Sequence, residues 1–174
     1  MAVLNVTKLG NPVLRKAAEA VPRETIGTAK FKRLLDNMAA TMHACEGVGI
    51  AAPQVDISWQ LALIEVKADT RTERPIPLTV LINPKIVAAS KTLRDDWEGC
   101  LSVNDLRGRV PRAEWVEVEM LNQKGEKISF RAEGFFARVV QHECDHLIGN
   151  LFIDRMPNLK TLCHLHEFVR FSSD

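Results

Sequence analysis

The sequence predicts an α+β fold, with antiparallel β-sheets packed around a central helix in a single domain spanning residues 1–174. Three observations predict it. Apolar residues recur with a helical period between Thr25 and His43. Two alternating segments flank the turn Asn122-Gln-Lys-Gly125, as in a β-hairpin. A largely apolar helical run late in the chain carries His-Glu-Cys-Asp-His at 142–146. Helix, strands and central helix in that order are an α+β pattern.

The totals are compatible with this. A chain of 174 residues with 46% hydrophobic and 26% charged residues has enough apolar side chain for one sizeable core. The net charge is +1 with no block of like charges, so neither nucleic acid nor an anionic membrane is expected as a partner. No apolar run is long enough to span a bilayer, and no secretory signal pattern opens the chain. Cys45, Cys100, Cys144 and Cys163 are therefore expected to stay reduced in the cytoplasm, or in an organelle if a transit peptide preceded Met1.

Taken in order, Gly10-Asn11-Pro12 is a turn. In the first helix Phe31, Leu34, Leu35, Met38 and Met42 form a core-facing stripe. Residues 45–54, Cys-Glu-Gly-Val-Gly-Ile-Ala-Ala-Pro-Gln, break the period. Glycines 47 and 49 permit close approach of another backbone or a ligand. Gln60–Val66 reads as a strand, Lys67–Pro77 as an exposed loop, and Leu78–Val87 as a β segment interrupted at Asn83-Pro84. Trp115–Leu121 and Lys127–Arg131 are the hairpin arms. The central helix is expected to begin near Ala132 or Glu133 and to stop at Gly149, and residues 157–171 are expected to form a last helix.

Residues four apart share a helix face, so His142 and His146 can present two imidazoles to one metal. Glu143 beside them has the chemistry to take a proton from water activated there. A catalytic site of this kind needs a third ligand. A third histidine six residues on is ruled out by Phe152. Glu167 has the spacing of a downstream glutamate ligand. Cys100, in Trp97-Glu-Gly-Cys-Leu-Ser102, offers a thiolate, which with two imidazoles suits Zn(II), Fe(II), Co(II) or Ni(II). Spacing leaves Glu167 and Cys100 both open.

Three stretches together resemble the peptide deformylase family: GVGIAAPQ at 47–54, EGCLS at 98–102 and QHECDH at 141–146. They stand in the family's order at similar separations, and the likeness runs from the first Gly-Asn-Pro turn to about residue 155. It implies a metal-dependent hydrolase that removes the N-formyl group from the N-terminal methionine of new polypeptides and releases formate. It further implies Cys100, His142 and His146 as ligands of one divalent metal, usually Fe(II), with zinc, nickel or cobalt forms also found. Glu143 is implied as general acid/base, with the Gln54 amide and the Leu101 N–H as oxyanion donors. Gly47, Val48, Gly49, Phe135 and Val139 are the implied substrate contacts, with His142 at the pocket floor and the 47–49 backbone as an edge for an extended peptide. Formyl-methionyl nascent peptides are the implied partner, and a transient ribosome contact is expected of such an enzyme.

Glu46, Glu98 and Arg107 are expected to form a supporting ion-pair network. The chain departs from the family at Asn104-Asp105, where many members carry a proline, and at Arg138, where bacterial relatives often carry an apolar residue. Arg138 is expected to reach the pocket or solvent. Cys45 and Cys144 have no implied role, Cys144 facing away from the metal, and His164 and His166 read as surface residues. Two other readings remain: a zinc endopeptidase using His142, His146 and Glu167, and a binding module without turnover, which would need neither Glu143 nor Gln54.

Overall fold

The computed structural model describes residues 1–67, Thr72 and 75–171. Helix α1 spans Ala29–Ala44, and Thr28 caps it by accepting a hydrogen bond from the Phe31 N–H at 3.2 Å. Strand β1 is Gly49–Ala51, followed by a 3-10 turn over Ala52–Val55 and strand β2 over Leu61–Val66. Next come β3 (Ile76–Ala89), β4 (Leu93–Cys100), β5 (Val103–Ala113), β6 (Trp115–Leu121) and β7 (Lys127–Glu133). Helix α2 spans Gly134–Leu147. The chain ends in α3 (Phe152–Arg155), β8 (Cys163–His164) and α4 (Leu165–Phe171).

Strands β1-β2-β3-β6-β7 form one antiparallel sheet and β4-β5-β8 another. Strand β2 shows why the larger sheet forms. It is apolar on both faces, so Leu61 and Leu63 pack with Phe31, Leu35, Met38 and Met42 of α1. Ala62, Ile64 and Val66 point the other way, into a cluster with Val139, Val140 and Leu147 of α2. Burying each large side chain of the α1 stripe is worth about 2 kcal/mol relative to exposure. Helix α2 thus lies between the two sheets, touching β1, β2, β6 and β7 on one side and β5 on the other. Beyond its end, Gly149 takes φ +79, and a Cβ there would come within 2.7 Å of the Arg15 backbone. The chain turns at this glycine because only glycine has both the conformation and the space.

Four stretches refine or depart from the expected pattern. The interruption expected at Asn83-Pro84 is present, inside one continuous strand. It is a bulge within β3, where Asn83 adopts φ +50 and its side chain accepts from the Val21 N–H at 2.7 Å and donates to Val21 O at 3.0 Å. The hairpin β4–β5 had no counterpart in the sequence pattern. Residues 157–171 are not one helix, because a 3-10 turn at Leu159–Thr161 and strand β8 precede the short α4. The loop expected over Lys67–Pro77 lies largely outside the described residues, and β3 has already begun at Ile76. Among the described residues no helix is long and apolar enough to cross a membrane.

Candidate metal centre and active site

Helix α2 sorts its residues by face. Ala137, Val140, Cys144 and Leu147 join the apolar cluster under the five-stranded sheet. Burial pushes the Cys144 thiol up to about 12, so it is an inert apolar neighbour. Arg138, Gln141, His142 and Asp145 meet the β4–β5 side. Gln141 fixes the helix there by accepting from the Ala113 N–H at 3.0 Å and donating to Ala113 O at 2.9 Å.

One donor atom each from Cys100, His142 and His146 lies within 4.8 Å of the others. Cys100 Sγ is 3.4 Å from His146 Nε2 and accepts from Gln54 Nε2 and the Ser102 N–H, both at 3.4 Å. Burial alone would raise the Cys100 thiol, but His146 and His142 outweigh it and hold the group well below the usual thiol range. The set is a thiolate with two imidazoles, which fits a divalent metal of borderline softness. His142 donates from Nδ1 to Glu98 Oε2 at 2.9 Å, which leaves Nε2 for the centre. The Phe152 ring, in the place where a third histidine was sought, stacks on His142 with centroids 6.5 Å apart. Glu167 lies on α4, pairs with His166 at 2.9 Å and is not part of the gathered donor set.

Glu143 is 3% exposed, and its Oε2 has no hydrogen-bond partner. Burial is the largest influence on it and pushes its carboxyl up to about 7. It packs against bare backbone: a Cβ on Gly49 would sit 2.2 Å from Glu143 Oε1. Gln54 is buried in the turn after β1. Its Oε1 accepts from the Ala51 N–H at 2.8 Å, which aims Nε2 at Cys100 Sγ and at Ser102 Oγ, 3.2 Å away. Leu101 follows the cysteine directly in the turn between β4 and β5. Val48, Phe135 and Val139 belong to one apolar cluster, and Gly47 approaches the Leu101 side chain.

The supporting charges differ from those expected. Glu98 is central, but its partners are Arg112, at 2.9 and 3.0 Å through two parallel bonds, Arg138 at 2.8 Å and His142. Burial opposes its ionisation, yet His142 and Arg112 hold it far below the usual carboxylate range. Arg112 continues to Asp145 at 2.6 Å, and Arg155 closes the chain on Asp145. Arg107 instead donates to Leu106 O and lies over Gly99, and among the described residues no ion pair joins Glu46 to this network. Arg138 reaches neither pocket nor solvent. It is 5% exposed and donates to Glu98, to Val110 O at 2.8 Å and to Arg94 O at 2.6 Å. Sequence reasoning missed Arg112, Asp145 and Ser102. The clue to Arg112 was its parity with Val110, which places both on the inward face of β5. His164 and His166 are exposed, as expected, and their rings stack.

The family model described as polypeptide deformylase matches residues 3–162. Among curated relatives, peptide deformylase 2 of Pseudomonas putida is 42% identical over 156 residues, covering 88% of each chain. Peptide deformylase 1 of Bordetella pertussis is 43% identical over the same length and coverage. Among solved structures, the Met-Ala-Ser-bound class I type b peptide deformylase of Acinetobacter baumannii superposes with a TM-score of 0.85 at 41% identity. That match covers 89% of this chain and 99% of that one. The peptide deformylase of Thermotoga maritima gives 0.80 at 34% identity, covering 91% and 100%. Likeness of this extent in sequence and fold, spanning both sheets and the helix between them, makes the chain a member of the peptide deformylase family.

Proposed function

We propose that Glu143, Gln54 and Leu101, beside a divalent metal held by Cys100, His142 and His146, perform this enzyme's reaction: hydrolysis of the N-formyl group from the N-terminal methionine of formyl-methionyl peptides, with release of formate. The observation that carries the reading is the three donor atoms gathered within 4.8 Å beside a buried carboxylate. When bound, the metal supplies Lewis acidity and lowers the pKa of water at the site. One thiolate and two imidazoles suit Fe(II), Zn(II), Ni(II) and Co(II) alike, and Fe(II) is proposed as the native ion on the family resemblance alone.

Glu143 accepts the proton of the attacking water and returns it to the departing nitrogen. Its burial supports that role, since a carboxyl raised above the ordinary carboxylate range takes up a proton more readily than an exposed one. Gln54 Nε2 exchanges its bonds to Cys100 and Ser102 for the formyl oxygen, and the Leu101 N–H is the second donor. Losing one such donor costs about 3 kcal/mol of transition-state stabilisation. Val48, Gly49, Phe135 and Val139 receive the methionine side chain above His142. Strand β1 is the outer strand of its sheet, which supports residues Gly47–Gly49 as the edge along which an extended peptide pairs. We read residues 1–174 as one catalytic domain working in the cytoplasm, with a transient ribosome contact at the source of its substrate.

The test is formate release from formyl-Met-Ala-Ser by anaerobically prepared Fe(II) protein, with Glu143→Ala as control. The variant is expected to keep its metal and lose about 100- to 10,000-fold in kcat. Undiminished turnover in Glu143→Ala would remove that residue from the mechanism. An inactive metal-loaded wild type would leave a binding module.

A further inference from the structure

The N-terminal segment is stitched to the rest of the molecule through its amides. The Ala2 N–H donates to Asn37 Oδ1 and the Leu4 N–H to Thr41 Oγ1, both at 2.8 Å and both on α1. Further on, the Thr7 N–H donates to Gln54 O at 2.8 Å and the Leu9 N–H to Ser102 O at 2.7 Å. Between them, the exposed Lys8 sends Nζ to Leu101 O at 2.9 Å and to Asn104 Oδ1 at 2.7 Å. Three consecutive residues therefore hold the backbones of two separate loops: the 3-10 turn carrying Gln54 and the β4–β5 turn carrying Leu101.

We infer that Thr7–Leu9 is a strap that sets the separation of the two oxyanion-donor loops, and that Lys8 is a positioning residue for the reaction. This rests on the oxyanion reading of Gln54 and Leu101. The side-chain bonds that now join those loops, Gln54 Nε2 to Ser102 Oγ and to Cys100 Sγ, are the ones Gln54 gives up when it turns to a substrate oxygen. The strap uses backbone oxygens and a lysine, none of which takes part in the chemistry, so it stays in place throughout. Oxyanion donors act only when held at the right place, and a displacement of about 1 Å can cost about a hundredfold in rate. Thr7 and Leu9 act through their backbone, which a side-chain substitution leaves intact, so Lys8 is the handle on the strap. It also holds Asn104, where the chain departs from the family's more usual proline.

The experiment compares metal-loaded, full-length wild type, Lys8→Met, Lys8→Arg and Gln54→Ala in formate release from formyl-Met-Ala-Ser. Amide hydrogen exchange over residues 101–104 is followed in parallel. Lys8 is at the surface, so its variants are expected to fold and keep their metal. Lys8→Met is expected to lose about tenfold in kcat with KM unchanged and to exchange faster at 101–104, while Lys8→Arg recovers most of both. Wild-type kcat in Lys8→Met beside an impaired Gln54→Ala would overturn the strap alone. So would a loss confined to KM, a loss that tracks metal content, or an arginine variant no better than methionine. Full activity in Gln54→Ala would overturn the oxyanion reading, and the strap with it.

Discussion

The two sides of α2 are built on opposite principles. Toward the five-stranded sheet the helix presents Ala137, Val140 and Leu147 to Ala62, Ile64, Leu81 and Val118, a contact with no polar atom at stake. Toward the three-stranded sheet it presents Arg138, His142 and Asp145 to Glu98 and Arg112, a contact made of charge. The apolar side gains from area removed from water and loses in proportion to the atoms deleted. The charged side works only when complete, because each ion was desolvated in expectation of its partners. The molecule thus puts tolerance on one side of the helix and precision on the other, and the proposed metal ligand His142 is oriented from the precise side.

The strongest way to break this contrast is Arg112→Leu. It leaves Glu98 and Asp145 buried without their shared cation, and the expected loss is about 3–5 kcal/mol in urea-unfolding stability. A loss below about 1 kcal/mol would show that the network adds little beyond packing. Acid is the next test. Glu98 ionises in the folded state well below its ordinary value of 4.5. Its stabilising contribution is therefore fully present above that value and is lost as pH falls below it. Lowering the pH from about 5 toward about 2 should deprotect the amides of β4 and β5 before those of β1 and β2, read by hydrogen exchange after correction for the intrinsic rate. Simultaneous deprotection of both sheets would erase the distinction. The smallest effect belongs to the apolar side, where Ile64→Val removes one buried methylene. It should cost about 1 kcal/mol in the same urea titration and leave formate release unchanged. A much larger cost would mean that this side is as exacting as the other.

What was legible in the sequence follows the same division. Helix α1, strand β2, the β6–β7 hairpin and α2 announce themselves because apolar periodicity is local information. The three residues named as ligands do come together, two through helix spacing and the third only through the family likeness. Strand β4 was invisible because Leu93-Arg-Asp-Asp-Trp97 is largely exposed and charged, and Pro111 disguised β5. The partners of Glu98 were missed for another reason. Arg112 and Arg138 lie 14 and 40 residues away along the chain, and nothing in a charge's neighbours in sequence says which distant carboxylate it meets. Asn83 shows a third limit: a proline after an asparagine marks irregular backbone, but whether the strand ends or bulges depends on Val21, far back in the chain.

The contact between Gly49 and Glu143 bears on how this enzyme can evade an inhibitor. A peptide mimic lying along the edge of β1 would rest on backbone that the protein is not free to decorate. The smallest side chain at position 49 would project toward the carboxylate proposed to move the proton, 2.2 Å from its oxygen. Escape by substitution at that position would displace the carboxylate and so weaken the enzyme along with the inhibitor's hold, which leaves resistance little room to arise at Gly49.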